Sequence, residues 1–300
     1  MGLDRIVLGC GNFGGIGSDL SLVGRGENEA QAFELMDAAW ARGVRRFDTA
    51  SSYGGGHSER TIGAWVRERR PVGLRLTSKV FHPVHAGDDS GLAPARVRRV
   101  ARESRDRLGV DRIDVYLVHE PDPATPLAAT LSALEELVRD DVVAAIGVSN
   151  VDAAFLAEAV RLAPIAVVQN EYSLLVRDAE NDVLPLCTEH GIEFQAFSPL
   201  AGGWLTGKYA RDAAYPAGSR MTLRPDPYAE FVRPEVFGAI EELARRGDAA
   251  TLALSWILAN PQIGAVVVGP RRLAHLETAW AALELPVDRD ELTELFTWSR

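Results

Sequence analysis

Short apolar runs typical of β-strands alternate with amphipathic helical patterns along the whole chain, and the pair recurs eight times. The runs are rich in Val and Ile, which is typical of parallel strands buried on both faces and covered by helices. Eight such units with no break in composition predict an α/β fold, a closed (β/α)₈ barrel that forms one domain over residues 1–300. The alternative, a doubly wound sheet, needs about six strands and a topological switch point.

The element boundaries follow from periodicity and from stop signals such as Gly43. Predicted strands cover residues 6–8, 46–47, 74–80, 113–120, 142–150, 165–170, 192–197 and 263–269. Predicted helices cover residues 28–42, 58–69, 94–108, 127–139, 152–162, 180–190 and 271–283, and a helical stretch at 231–259 follows a long loop at 199–230. In a barrel the carboxyl ends of the strands meet at one mouth, so residues there are the candidates for a functional site.

Composition narrows the classes of function. A net charge of −10 argues against a surface that binds nucleic acid. The two cysteines, Cys10 and Cys187, lie far apart in apolar surroundings, and we interpret them as buried thiols in a reducing compartment. No window approaches the roughly twenty apolar residues of a membrane span, and no signal peptide is evident. We therefore expect a cytoplasmic protein whose partners are neither nucleic acids nor membranes.

The segment GCGNFG at 9–14 satisfies the pattern G-x-G-x-x-G of dinucleotide-binding folds. That motif needs a helix to begin at once, so that the helix N-terminus faces the pyrophosphate. Here the next helical pattern begins only near Asn28, and we reject a Rossmann domain. Gly11, Asn12 and Phe13 instead predict a flexible loop at the barrel mouth that lines a ligand.

Titratable residues stand at the ends of three successive predicted strands. Asp48 and Tyr53 follow the second strand, Lys79 ends the third and His119 ends the fourth. Taken singly, Lys79 could simply pair with a carboxylate, and His119 could be a buried neutral imidazole with no role in catalysis. Taken together, the four residues form a proton-donating set at one mouth of the barrel. We expect a neighbouring ammonium to lower the pKa of Tyr53 from its ordinary value of about 10. Reduction of a carbonyl needs such an acid while hydride arrives at carbon.

The motifs FDTASSYGGGHSE, LTSKV, YLVHEPDP, IGVSN, QNEYS, FSPLAGGWLTGK and VVVGPRR occur in the order and spacing of the aldo-keto reductases, which the chain resembles over essentially its whole length. The resemblance implies a (β/α)₈ barrel that binds an extended nicotinamide cofactor at its mouth and passes a hydride between cofactor and substrate. It also implies a tetrad of Asp48, Tyr53, Lys79 and His119, in which Tyr53 is the general acid.

Other residues match the cofactor site of the family. The resemblance implies contacts with the carboxamide from Ser149, Asn150 and Gln169, stacking of Phe197 on the nicotinamide, and a pyrophosphate cover that includes Ser198, Pro199, Leu200 and Lys208. At the adenosine end it implies Gly269, Arg271, Arg272 and His275. The chain departs from the family here, because His275, Thr278 and Ala279 replace the usual Arg or Gln, Glu and Asn. Two arginines at a helix start favour NADP(H), and NAD is the alternative.

The sequence leaves other interpretations open. Trp204, Met221, Arg224 and Tyr228 either shape a substrate pocket or form a small cluster under a loop. His82 and His85 lie in a loop broken by Pro83, which disfavours a metal site. A cofactor-binding sensor or accessory subunit on the same barrel is the alternative to an enzyme. The substrate, a small carbonyl compound or alcohol, is set by the loops at 12–27, 81–92 and 199–230, and neither it nor the oligomeric state follows from the sequence.

Overall fold

Eight parallel strands among residues 2–299, which the computed structural model describes, close into a barrel in which each strand pairs with its neighbours in sequence. The strands are β1 (Ile6–Gly9), β2 (Arg46–Asp48), β3 (Arg75–Val80), β4 (Ile113–Val118), β5 (Val143–Ser149), β6 (Ile165–Glu171), β7 (Glu193–Phe197) and β8 (Ile263–Val268). Closure is made by β1 and β8, where Leu8 pairs with Val268. The predicted single-domain (β/α)₈ barrel is confirmed.

Helices surround the barrel. They are α1 (Glu29–Arg42), α2 (His57–Arg69), α3 (Pro94–Leu108), α4 (Leu127–Arg139), α5 (Ala153–Leu162), α6 (Val183–His190), α7 (Arg220–Leu223), α8 (Pro234–Arg246), α9 (Ala249–Leu258), α10 (Leu273–Glu284) and α11 (Arg289–Glu294). No helix in the described part of the chain is both long enough and apolar enough to cross a bilayer.

Local sequence signals explain where these helices begin and end. At the start of α1, the Asn28 side chain accepts a hydrogen bond from the Gln31 N–H and the Gln31 side chain accepts one from the Asn28 N–H, which forms a capping box. The same helix ends at Gly43, whose φ of 109° lies in the left-handed region that glycine adopts without strain. These polar caps satisfy backbone groups that the helix itself leaves unpaired.

The predicted helical stretch at 231–259 was wrong as a single element. It is divided between α8 and α9, because Gly247 and Asp248 leave the helical conformation and the Asp248 carboxylate accepts a hydrogen bond from the Thr251 N–H. The helix α11 was missed, since only six residues form it and so short a segment carries little periodicity. The expected burial of Cys10 and Cys187 is confirmed, and both are free thiols.

Candidate functional site

A cleft of about 1430 Å³ opens at the carboxyl ends of the strands. The residues that line it come from the ends of most strands and from the loops that follow them, as in other barrels of this kind. Of the residues singled out from the sequence, it is lined by Gly11, Asn12, Asp48, Tyr53, His119, Ser149, Asn150, Gln169, Phe197, Ser198, Pro199, Leu200, Lys208, Gly269, Arg271, Arg272 and His275. Lys79 lies directly beneath the floor of the cleft, and Phe13 lies elsewhere.

The ammonium group of Lys79 is buried and fully coordinated. Its Nζ donates to Asp48 Oδ1 at 2.6 Å, to the Thr49 carbonyl at 2.9 Å and to Tyr53 Oη at 3.4 Å. Lys79 is 1% exposed and Asp48 is 3% exposed. Burial alone lowers the pKa of Lys79, but the attraction of Asp48 and Tyr53 outweighs it and the pKa is raised. A permanent cation therefore lies against the phenol.

His119 approaches the same phenol from β4. Its Nε2 lies 3.4 Å from Tyr53 Oη, and the two rings meet edge to face with centroids 5.5 Å apart. Burial, followed by the charge of Lys79 and by that of His82 when it is protonated, holds the pKa of His119 well below its ordinary value. The imidazole is therefore neutral at neutral pH and has one donor and one acceptor nitrogen.

The expectation of a lowered pKa at Tyr53 was wrong. Burial of the hydroxyl raises this pKa most, Lys79 lowers it, Asp48 raises it again, and the net direction is upward. The sequence placed the ammonium correctly, but it gave no measure of how much water the closed barrel removes from the phenol. Tyr53 consequently keeps its proton throughout the neutral range.

Gln169 supports the tetrad from the opposite side of the barrel. Its Nε2 donates to Asp48 Oδ2 at 2.9 Å and to Gln195 Oε1 at 3.1 Å. Asn150 is similarly engaged, because its Nδ2 donates to the His119 carbonyl and to Ser149 Oγ. The side-chain NH2 groups of Gln169 and Asn150 are therefore already hydrogen-bonded within the protein. The side-chain carbonyl oxygen of each residue remains as the acceptor for a ligand. Sequence reasoning found these residues but not their contacts with the tetrad.

The loop after β1 is a tightly packed turn rather than the flexible loop that we expected. Phe13 is fully buried in the core and pairs with Glu27 in an isolated β-bridge, so its side chain does not reach the cleft. A Cβ atom on Gly26 would lie 1.9 Å from the Asn12 carbonyl, and one on Gly11 would lie 3.3 Å from the Tyr53 ring. Glycine at Gly26 thus permits the close packing that keeps Asn12 and Gly11 at the cleft.

Positive charge is concentrated at the end of the cleft away from Tyr53. The cations there are Lys208, Arg220, Arg271 and Arg272. Burial first, and then the three arginines, lower the pKa of Lys208. His275 Nδ1 lies 3.2 Å from the Arg271 backbone nitrogen and His275 Nε2 lies 3.0 Å from Arg272 Nε, and a neutral imidazole accepts a hydrogen bond from only one of these donors. Burial and the cations Arg272, Lys208 and Arg271 lower the pKa of His275.

Two residues of this cationic end were missed from the sequence. Glu27 is 4% exposed, accepts a hydrogen bond from Arg271 Nε at 2.7 Å, and has a second oxygen without a partner among the described residues. Arg220 donates to Asn12 Oδ1 at 2.6 Å and thereby ties the 199–230 loop to the β1 loop. Glu27 lies in the loop after β1 and Arg220 begins the short helix α7 within residues 199–230, and no local pattern predicts how these segments pack.

The structure separates the four candidates for a substrate pocket. Trp204 and Met221 are buried, and Trp204 contacts Tyr209, Phe231 and Phe237, so these two form the cluster under the loop. Arg224 and Tyr228 line the cleft.

Of the two histidines in the loop after β3, His82 lines the cleft, whereas His85 is exposed elsewhere. Within residues 2–299, no group of three or more His, Cys, Asp or Glu side chains is placed to hold a metal ion.

The barrel and the polar cleft at its mouth define a protein of the (β/α)₈ class, and comparison with known proteins gives the family. The model of the aldo/keto reductase family matches residues 5–297. The chain therefore belongs to the aldo/keto reductase family.

The relatives match this chain over most of their own length. The chain is 35% identical to the "Uncharacterized oxidoreductase YrpG" of Bacillus subtilis, covering 98% of this chain and 91% of that protein. It is 30% identical to the "NADH-specific methylglyoxal reductase" of Escherichia coli over 84% of this chain and 82% of that one. The solved structure of the glycerol dehydrogenase AKR11B4 from Gluconobacter oxydans superposes with a TM-score of 0.81 at 26% identity, covering 97% and 91% of the two chains.

Proposed function

We propose that the protein is an NADP(H)-dependent carbonyl reductase, which also oxidises the corresponding alcohol, with Tyr53 as the general acid. The observation that carries this proposal is the position of Tyr53 Oη, 3.4 Å from both Lys79 Nζ and His119 Nε2 at the mouth of the cleft. A phenol held between a cation and a neutral imidazole is suited to give a proton to a carbonyl oxygen.

Each member of the tetrad has a distinct role in this proposal. Tyr53 gives its proton to the oxygen of the substrate as that oxygen becomes negative. Lys79 stabilises the phenolate that remains, and Asp48 keeps Lys79 charged and in place. The neutral His119 orients the carbonyl oxygen by hydrogen bonding. The nicotinamide, when bound, supplies the hydride.

The residues of the cleft fit a nicotinamide at the end near Tyr53. The side-chain oxygens of Gln169 and Asn150 are acceptors whose own donors are already used. Ser149 Oγ accepts from Asn150 and retains its hydrogen as a donor. A carboxamide offers two N–H donors and one carbonyl acceptor, so it complements this set. Phe197 provides an aromatic face beside the same group.

Charge at the opposite end fits a cofactor with several phosphates. Lys208, Arg220, Arg271 and Arg272 are four cations, and Glu27 offsets one of them. The pyrophosphate of NAD neutralises part of this excess, and the additional ribose phosphate of NADP neutralises more. We assign Lys208 to the pyrophosphate, beneath the cover formed by Ser198, Pro199 and Leu200. Arg272 is assigned to the ribose phosphate, close to Gly269, Arg271 and His275.

Two variants separate these cofactor contacts. Lys208→Met should raise the Kd of NADPH and of NADH alike by about tenfold, because the pyrophosphate is common to both. Arg272→Gln should raise the Kd of NADPH by about tenfold and leave that of NADH nearly unchanged. Quenching of tryptophan fluorescence on titration with each cofactor measures both constants. An equal loss of NADH affinity in Arg272→Gln would contradict the assignment of the ribose phosphate.

The pH dependence of turnover follows from the pKa shifts in the tetrad. Tyr53 has a raised pKa and His119 a lowered one, so neither changes protonation in the neutral range. With saturating cofactor, kcat for carbonyl reduction should stay level through the neutral range and fall only at a pH above the ordinary tyrosine pKa of about 10, because the pKa of Tyr53 is raised. Alcohol oxidation needs the phenolate and should still rise at that pH. A reduction profile that falls between about pH 6 and 8 would contradict this assignment.

The proposal as a whole is tested by following NADPH oxidation with a panel of aldehydes and ketones. Turnover by the purified chain supports an enzyme. Tight NADPH binding without turnover of any compound would instead favour a cofactor-binding sensor or accessory subunit on the same barrel.

A further inference from the structure

His82 stands at the rim of the cleft, next to His119. The two imidazole rings meet edge to face with centroids 4.9 Å apart, and both line the cleft that also contains Tyr53. A substrate whose carbonyl oxygen lies at Tyr53 and His119 can therefore extend toward His82. The proposed roles of Tyr53 and His119 make no use of this second imidazole.

The His82 ring is available to a ligand. Its side chain is 30% exposed and makes no hydrogen bond to any residue in the 2–299 range. The nearest carboxylate is that of Glu120, whose Oε1 lies 3.8 Å from His82 Nε2, which is beyond hydrogen-bond range. The nitrogens of this ring are thus left to a bound molecule.

The backbone that carries His82 is held in place from α3. Arg96 is 4% exposed, and its guanidinium donates to the carbonyls of His82, Gly91 and Asp89 at 2.8, 2.8 and 3.2 Å. The Gly91 N–H donates in turn to the Phe81 carbonyl at 2.8 Å. A buried cation that binds three carbonyls of one loop fixes that loop, so the His82 ring is preorganised beside His119.

The charges around His82 favour a neutral ligand. Burial lowers the pKa of His82, Glu120 raises it, and Arg224 and Arg96 lower it, so that the ring is neutral at neutral pH. Arg224, Glu120 and Asp19 line the same cleft, and with the buried Arg96 two carboxylates balance two guanidiniums, so there is no net attraction for an anion. A neutral imidazole offers a donor and an acceptor, which suit a hydroxyl or a second carbonyl oxygen.

We infer that His82 is a specificity-determining residue that hydrogen-bonds an oxygen substituent on the carbon next to the reacting carbonyl. The inference rests on the proposed function and narrows its substrates to neutral α-oxygenated carbonyl compounds, which are α-hydroxy aldehydes and ketones or α-dicarbonyls. Loss of one such hydrogen bond costs about tenfold in kcat/KM.

The test compares substrates of nearly equal shape. Hydroxyacetone is paired with butanone, and diacetyl with methyl isopropyl ketone, so that each pair differs chiefly in the oxygen substituent. Intrinsic reactivity differs within a pair, but it cancels when the ratio of kcat/KM in a variant is divided by the ratio in the unmodified protein. For each pair, the ratio is kcat/KM of the oxygenated substrate divided by kcat/KM of its partner. We expect His82→Phe to lower this ratio by about tenfold relative to the unmodified protein. The kcat/KM for butanone should stay within about threefold of its value in the unmodified protein.

Matched variants identify the source of any change. His85→Phe, an exposed histidine of the same loop, should leave both ratios unchanged. His82→Asn keeps a polar side chain at this position, so comparing it with His82→Phe shows whether a change in the ratio comes from lost polarity or from altered packing. A fall for hydroxyacetone alone would identify the hydroxyl as the recognised group, and a fall for diacetyl alone would identify the second carbonyl. Unchanged ratios for both pairs in His82→Phe would overturn the inference about His82. Absence of turnover with every ketone in the unmodified protein would instead overturn the proposed function.

Discussion

Tyr53→Phe should abolish carbonyl reduction while NADPH still binds. The substitution removes the hydroxyl proton that is proposed to pass to the substrate oxygen and keeps the ring that packs against Gly11. A positioned general acid contributes between about a hundredfold and ten-thousandfold, so kcat should fall by that range. Stopped-flow measurement of NADPH oxidation with a reactive aldehyde gives kcat, and fluorescence titration gives the Kd of the cofactor.

Tyr215→Phe is the matched control, because this tyrosine contacts Tyr209 and is not part of the cleft lining. It should retain full activity. Turnover at the unmodified rate in Tyr53→Phe would refute the assignment of the acid and leave the fold and the family membership intact.

Lys79→Met should destabilise the protein as well as inactivate it. The variant leaves the Asp48 carboxylate buried beside Gln169 without its cation. Removing one partner of a buried ion pair costs about 3 to 5 kcal/mol, since the remaining charge is uncompensated. The midpoint of urea unfolding should therefore shift markedly, and kcat should fall because the phenolate of Tyr53 loses its neighbouring cation.

The double variant Lys79→Met with Asp48→Asn distinguishes the two effects. It removes both charges, so most of the lost stability should return while activity stays low. Lys208→Met is a useful comparison, because Lys208 is the other lysine of the chain and it makes no ion pair with any carboxylate in the described structure. A urea midpoint for Lys79→Met equal to that of the unmodified protein would show that the Asp48 charge is relieved by water or by protonation.

The tetrad also illustrates how two effects compete at one site. The ammonium of Lys79 favours the phenolate of Tyr53, whereas burial disfavours it, and burial prevails. A general acid benefits from this outcome, because it arrives at the reaction with its proton in place. The stabilisation by Lys79 is then realised when the proton leaves, which is the moment at which it lowers the barrier.

The sequence by itself determined the barrel and the identity of the residues at its mouth. Alternating strand and helix patterns depend on residues close together in the chain, and parallel strands in a closed barrel bring their carboxyl ends to one place. The sequence alone therefore predicts that Asp48, Tyr53, Lys79 and His119 meet at this mouth. The division between α8 and α9 was missed because Gly247 and Asp248 interrupt an otherwise continuous apolar pattern only briefly.

Only the tertiary structure decided how these residues interact. The bond from Gln169 to Asp48 joins positions 121 residues apart, and Glu27 meets Arg271 across 244 residues. The burial of Phe13 and the raised pKa of Tyr53 depend on how closely the loops cover the barrel mouth. Burial and long-range pairing arise when distant segments exclude water together, and no local pattern of residues encodes that exclusion.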